Sequence, residues 1–330
     1  MTQKVLVSGI QATGTLHFGN YFGAVKQNID LANSGDYEAY IFIADYHALT
    51  TVKDKHALHA SALEIAAIYI ACGLDLSKVA LFRQSQVPLH TELASILSNV
   101  VTMPYLMRAH AFKDHEAKDK EVNAGLFNYP VLMAADILMY QADIVPVGQD
   151  QKQHIEYARD IAGFYNRAWG VEQFKLPKEY IVEGVGTVPG IDGEKMSKSK
   201  GNVISLFGSD EEVKKAVMGI VTDSATPDER KNPDTNNIYN IHKLFLNEQE
   251  VEALRAKFDD PSSIGGYGYK QAKDDLLATI MKWREGKKEI FDDLMAHPEK
   301  IQSILEEGGK VAQVKARETM KQVRSQVGLE

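Results

Sequence analysis

Two short stretches carry residue types suited to handling phosphate. The first is Gly9-Ile10-Gln11-Ala12-Thr13-Gly14-Thr15-Leu16-His17-Phe18-Gly19-Asn20, which follows an apolar run at 4–8 and leads into a helical pattern. It lacks the G-x-G-x-x-G of a dinucleotide fingerprint, and Thr15 stands where a P-loop needs lysine. What remains is a glycine-rich turn delivering His17, Gly19 and Asn20 to a helix N-terminus. Free N–H groups and the positive end of the helix dipole favour an anion there, and Gly19 would let a purine or phosphate approach the backbone. A tight strand-to-helix turn with a capping histidine is the alternative. The second stretch, Gly193-Glu194-Lys195-Met196-Ser197-Lys198-Ser199-Lys200-Gly201, sets three lysines among small residues. Such a loop can close over a triphosphate and neutralise a departing pyrophosphate. Each charge-assisted hydrogen bond is worth about 1.5–3 kcal/mol, and those formed only in the transition state add to rate. Alone, it reads first as a solvated charged loop.

A third feature is one carboxylate in an apolar setting. Tyr129-Pro130-Val131-Leu132-Met133-Ala134-Ala135-Asp136-Ile137-Leu138-Met139-Tyr140 reads as a buried helix with proline in its first turn. A carboxylate there needs donors. Helical spacing places Tyr129, Met133 and Asp136 on one face. That face offers a ring, a thioether and an acceptor, which suits an indole: flat apolar walls and one acceptor for its N–H. Asp136 paired with an internal arginine or a backbone N–H is the alternative.

The surrounding elements must hold these groups. Runs 4–8, 39–45, 79–85 and 144–147 read as buried strands. Helical patterns at 19–33 and 56–72 end just before Gly35 and Gly73. The alternation predicts an α/β fold, a Rossmann-like doubly wound parallel sheet, with ligands at the carboxyl ends of the strands. The run 113–121 is densely charged, a solvated helix or mobile loop. Beyond Ser205 the texture changes: Ser209-Asp210-Glu211-Glu212 is a capping-box signature, 223–237 reads as a loop, and helices follow, broken near 261–268, Pro298 and Gly308-Gly309. The expected domains are 1–205, including the lysine loop, and a helical 206–330. Lys282, Arg284, Lys287 and Lys288 form a basic cluster able to meet nucleic-acid phosphates, or a solvated helix face. The net charge of −8 argues mildly against nucleic acid, although a local basic surface matters more. A single cysteine, Cys72, excludes an intrachain disulfide, and no Cys/His cluster has zinc spacing. The start of the chain turns polar too soon for a signal peptide, and no apolar run is long enough to span a bilayer.

His17-Phe18-Gly19-Asn20 resembles the HIGH motif, and Lys195-Met196-Ser197-Lys198-Ser199 matches the KMSKS motif, of class I aminoacyl-tRNA synthetases, in that family's order. Asn20 replaces the final histidine; it can donate to phosphate but carries no charge. Ser8-Gly9-Ile10-Gln11, Asp45-Tyr46-His47-Ala48, the helix at 129–138 and the stretch from Asp143 to His154 resemble the bacterial tryptophanyl-tRNA synthetase family. The likeness is carried by residues up to Ser205, and beyond that by length and helical texture.

The resemblance implies adenylation of L-tryptophan by ATP, with Mg²⁺ arriving on the nucleotide, then transfer to tRNA(Trp) by a cytoplasmic homodimer. It makes His17, Lys195 and Lys198 catalytic. Gln11, Ala12, Thr13, Gly19, Asn20, Gly148, Gln149, Asp150, Val188 and Lys195 through Ser199 (with Met196 and Ser197) would hold ATP. Val7, Met133, Val145 and Val147 would wall the indole, Asp136 would accept its N–H, and His47, Tyr129 and Gln151 would lie near the polar end of the amino acid. The stretch 184–194, which includes Val188, departs from the bacterial pattern. The absence of an editing insertion fits tryptophan, because a site that hydrogen-bonds a substrate N–H rejects analogues lacking it by about 10⁴–10⁵. A tyrosyl relative and a small-molecule nucleotidyltransferase are the alternatives.

Overall fold

The computed structural model describes residues 3–109, 112–113, 121–148, 152–181 and 187–330. Of the charged run at 113–121, residues 114–120 lie outside these. The chain forms two compact units. One comprises Met1–Gly14, Gln27–Val182 and Leu294–Glu330; the other comprises Thr15–Lys26 and Glu183–Asp293.

The first unit is built on five parallel strands: β1 (Lys4–Gln11), β2 (Tyr37–Ala44), β3 (Val79–Arg83), β4 (Ile144–Pro146) and β5 (Lys178–Tyr180), in the order β3-β2-β1-β4-β5. Val5, Leu6 and Val7, and residues 39–44, are buried without interruption, as expected where helices cover both faces of a parallel sheet. Leu6 pairs with Ala39 on one side and Ile144 on the other. The strand order therefore reverses between β1 and β4, the position at which such sheets bind ligands beyond their carboxyl ends. Four strands fall where the apolar runs predict them. β5 does not: Lys-Glu-Tyr is short and mostly exposed, with no apolar signal.

Among the covering helices, α1 (Lys55–Ala71) opens on Asp54, whose carboxylate accepts the N–H groups of His56 and Ala57 at 2.8 and 3.2 Å. It stops short of Gly73, which adopts φ +96°, a conformation that favours glycine. α2 (Leu89–Ser98), α3 (Ala124–Leu138) and α4 (Lys152–Trp169) pack with α3 against both others. α3 begins earlier than expected. Asn123 caps it by accepting the Leu126 N–H at 2.9 Å, so Pro130 lies inside the helix rather than in its first turn.

The second unit contains α5 (Asp210–Met218), α6 (Glu248–Asp259) and α7 (Tyr269–Arg284). The capping box at Ser209 forms as read: its Oγ accepts the Glu212 N–H at 3.2 Å and the Glu212 carboxylate accepts the Ser209 N–H at 2.9 Å. The loop after Asp223 is folded around Lys231, which is 1% exposed and donates to the carbonyls of Thr226, Pro227 and Glu229 at 2.8, 3.3 and 2.9 Å. An aromatic cluster supplies much of the core: Phe18 meets Phe245 and Trp283 edge-on at 5.0 and 5.1 Å, and Tyr21 meets Trp283 at 4.8 Å.

The last helix, α8 (Pro298–Val327), returns to the first unit and packs along β3. Thr319 Oγ1 donates to the Met139 carbonyl at 2.7 Å, and Arg324 grips Glu92 of α2 with two bonds of 2.7 Å. Pro298 opens the helix, but Gly308-Gly309 does not break it. A Cβ on Gly308 would lie 2.0 Å from the Leu81 carbonyl oxygen, so glycine here serves close approach of helix to strand. The unit boundaries thus fall at 14/15, 26/27, 182/183 and 293/294, whereas the sequence texture suggests 205.

Candidate active site

In the second unit His17 leads into the helical turn Phe18–Asn20 and is anchored to the segment after the lysine loop: the Phe18 N–H donates to Ile204 O at 3.1 Å, and His17 and Ser205 form an antiparallel bridge. Asn20 Oδ1 accepts the His17 N–H at 3.1 Å, leaving the amide Nδ2 as its donor. The lysine loop is tied down by Asn202, which is 2% exposed. Its Nδ2 donates to Asp192 Oδ1 at 2.7 Å and Lys195 O at 3.2 Å, and its Oδ1 accepts the Ser197 N–H at 2.7 Å. Met196 N–H donates to Val188 O at 2.9 Å, beside the bridge between Pro189 and Lys195.

These two segments line one cleft. His17, Gly19 and Asn20 on one side and Lys195, Met196, Ser197 and Lys200 on the other enclose about 470 Å³. Burial pushes the His17 imidazole down from 6.5 to about 4, helped by the positive charge of Lys198, so it is neutral at physiological pH. Among the described residues its Nδ1, which is buried, has no hydrogen-bond partner. Gly19 is required by its neighbours: a Cβ there would lie 2.8 Å from His17 Nδ1 and 3.0 Å from Met196 Cβ.

The helix start differs from the expected cradle of free amides. Phe18 N–H is bonded to Ile204 O, Gly19 N–H to Met196 Sδ at 3.2 Å, and the N–H groups of Asn20 and Tyr21 to His17 O at 2.8 and 3.1 Å. Only the thioether is a weak acceptor that an anion would readily displace. Anion binding in the cleft therefore falls mainly to side chains. Lys195 and Lys200 are exposed, and Lys200 is ion-paired with Glu194. Lys200, one of the three lysines read in the loop, lines the cleft although the motif itself ends at Ser199. Lys198 and Ser199 do not line the cleft. Lys198 bears on it through its charge, and Ser199 Oγ bonds Ser197 Oγ at 3.0 Å. Val188 is buried and touches the loop through its backbone.

The first unit holds the remaining candidates. Gln11 ends β1, its carbonyl accepting the Thr13 N–H at 2.9 Å, with Ala12 buried between them. Beyond β4, Val147 N–H donates to Tyr180 O at 3.1 Å, and Gly148 follows. Gln149, Asp150 and Gln151 lie outside the described residues. Val7 and Val145 belong to the buried core, against which Met133 and Val147 pack half-buried. Tyr129 OH meets His154 Nε2 at 2.8 Å.

Asp136, 1% exposed, is satisfied by side chains rather than by arginine or backbone. His47 Nε2 donates to its Oδ2 at 2.8 Å, while Gln84 Nε2 and His90 Nδ1 donate to its Oδ1 at 2.7 and 2.6 Å. Burial opposes its ionisation, but the hydrogen bonds and charges of His47 and His90 outweigh that and hold the carboxyl below its usual range. Gln84 and His90 carry no local signal of this role; they come from residues 52 and 46 positions away.

The family model described as tRNA synthetases class I (W and Y) matches residues 2–282. The chain belongs to that family. A tryptophan–tRNA ligase of Fusobacterium nucleatum is 46% identical over 326 residues, 99% of this chain and 98% of its own. One of Rhodopirellula baltica is 43% identical over 98% of this chain and 99% of its own. The tryptophanyl-tRNA synthetase of Campylobacter jejuni, solved with ADP and tryptophan, superposes with a TM-score of 0.88 at 40% identity, covering 98% of this chain and 99% of that one.

Within this synthetase the basic cluster at 282–288 is largely committed internally. Arg284 is 2% exposed and bonds Asp210 at 3.0 Å and Gly208 O; Lys287 lies 5.0 Å over the Trp283 ring; Lys288 pairs with Asp292. Among the described residues no group of three His, Cys, Asp or Glu is arranged to hold a metal, and no helix is long and apolar enough to cross a membrane.

Proposed function

We infer that this chain is a tryptophan–tRNA ligase, which activates L-tryptophan with ATP and transfers it to tRNA(Trp). The observation that carries the reading is the cleft in which His17, Gly19 and Asn20 face Lys195, Met196 and Ser197. In the first step the ionised carboxylate of tryptophan attacks the α-phosphorus of ATP in line. The anhydride bond to the β-phosphate breaks, giving tryptophanyl-adenylate and pyrophosphate. No general base is needed, so catalysis is positioning plus electrostatics. The neutral His17 imidazole and the Asn20 amide donate to phosphate oxygens, while Lys195 and Lys200 neutralise charge gathering on pyrophosphate. The cleft offers donors and cations rather than a carboxylate cage, so magnesium is supplied as the MgATP substrate. In the second step a ribose hydroxyl at the end of tRNA attacks the acyl carbonyl and AMP departs.

Asp136 accepts the indole N–H, with Val7, Val145, Met133 and Val147 around the ring and Tyr129 toward the polar end of the amino acid; His47, expected at that polar end, is bonded to Asp136 Oδ2 and so serves the indole end. Gln11, Thr13 and Gly148, at the carboxyl ends of β1 and β4, serve ATP together with Gln149 and Asp150, and Gln151 serves the amino acid. The helical part of the second unit contributes to tRNA recognition. The working form is a homodimer in the cytoplasm. The test is amino-acid-dependent ATP–pyrophosphate exchange with tryptophan and with tyrosine, followed by charging of tRNA. Exchange driven equally by tyrosine, or absent with tryptophan, would overturn the reading.

A further inference from the structure

Asp136 is held more firmly than acceptance of one N–H requires. A carboxylate offers about four acceptor directions, two on each oxygen. Among the described residues Oδ1 is filled by Gln84 and His90 and Oδ2 is bonded only to His47, which leaves one open direction, on Oδ2. The hold extends one residue further, since His90 Nε2 lies 2.7 Å from the Tyr140 hydroxyl. His90 and Tyr140 are both fully buried, and Tyr140 stacks on Tyr40 at 4.6 Å.

The carboxylate fixes the direction of the bond from His90. An ionised carboxylate only accepts, so His90 Nδ1 carries a proton, and Nε2 shares a hydrogen bond with the Tyr140 hydroxyl. The opposite tautomer would set a ring lone pair against Oδ1 at 2.6 Å. Burial, with the negative charge of Asp136, pushes the Tyr140 hydroxyl well above its usual range, so it remains a donor. The hydrogen bonds therefore run in series, Tyr140 to His90 and His90 to Asp136.

We propose that Tyr140, acting through His90, is a positioning residue for substrate selection: it fixes the His90 ring, pins Oδ1 of Asp136, and so presents the open acceptor direction on Oδ2 to the indole N–H. The proposal rests on Asp136 being the indole acceptor. Neither Tyr140 nor His90 touches substrate; each acts on the orientation of the group that does.

The test is a ratio of affinities, measured at equilibrium on the full chain without ATP: tryptophan against benzothienylalanine, in which sulfur replaces the ring N–H. The wild-type ratio should be at least about tenfold in favour of tryptophan, one hydrogen bond to a charged acceptor. Tyr140→Phe keeps the ring and its stacking, and should lower the ratio roughly fivefold by weakening tryptophan alone. A loss of packing would weaken both ligands equally. In His90→Gln the ratio should fall similarly, and adding Tyr140→Phe should lower it no further, since the two act in series. A wild-type ratio near one refutes Asp136 as indole acceptor. A large wild-type ratio that survives Tyr140→Phe refutes the relay and leaves the acceptor reading standing.

Discussion

Replacing Gly19 by alanine adds one methyl group to the wall of the cleft, and the structure shows what it would strike. The new Cβ would lie 2.8 Å from Nδ1 and 2.9 Å from Cε1 of His17, with Met196 Cβ 3.0 Å away. Ordinary contact needs roughly half an ångström more on each side. With Met196 close on the new methyl as well, the His17 imidazole must leave its present position. A misplacement of about 1 Å near reacting groups costs on the order of 10²-fold in rate, similar to losing one transition-state donor. Gly19→Ala should therefore slow tryptophan-dependent ATP–pyrophosphate exchange about 100-fold while leaving the Kd for tryptophan within about twofold. Gly23→Ala is the control, because its Cβ would meet nothing within 4 Å. Exchange by Gly19→Ala within about threefold of wild type, or equal damage by Gly23→Ala, would refute the reasoning.

Lys195→Ala should slow adenylate formation by about 10²-fold or more yet leave tryptophan affinity near wild type; equal losses in rapid-quench and equilibrium-binding measurements would remove its leaving-group role. Gly308→Ala should destabilise the fold by about 1–3 kcal/mol through collision with backbone. Gly309→Ala meets only the Gln86 side chain, at 3.1 Å, and should cost far less; equal urea midpoints for the two variants would contradict the packing. His17 and His242 both stand at about 4 rather than 6.5, chiefly through burial. The unfolded chain thus takes up these protons first, and stability should fall as pH drops from 6.5 to 4, the effect of this pair levelling off below that. His242→Asn should flatten that slope in a pH series of denaturation midpoints, and an unchanged slope would count against the assignment.

The sequence reveals what is encoded locally. Val5-Leu6-Val7 and Tyr40-Ile41-Phe42-Ile43 are continuous apolar runs and become central strands; Ser209 and Glu212 are three apart and form a capping box. His17, Gly19, Asn20, Lys195, Met196 and Ser197 are readable because the phosphate chemistry sits in contiguous motifs. Features set by tertiary contact are not readable. β5 is three residues whose strand character comes from pairing with β4. Gly308-Gly309 looks like a helix break because its reason, the backbone of Leu81, is far away in sequence. The donors to Asp136 arrive from three separate segments, so its anomaly is visible from sequence and its resolution is not. The start of α3 is hidden similarly: Pro130 suggests a first turn, while Asn123 sets the true one.

The return of α8 to β3 also bears on how the molecule is made. The bond from Gln313 Nε2 to the Gln86 carbonyl joins positions 227 apart, and β3 is the outermost strand on its side of the sheet. A strand in that position offers unpaired backbone groups to any other chain until something covers it. On the ribosome, β3 emerges early and its covering helix very late, so for most of synthesis the nascent chain carries an unguarded border. Protection from aggregation during that interval must come from outside the chain, and truncations lacking α8 should be recovered mainly as insoluble material.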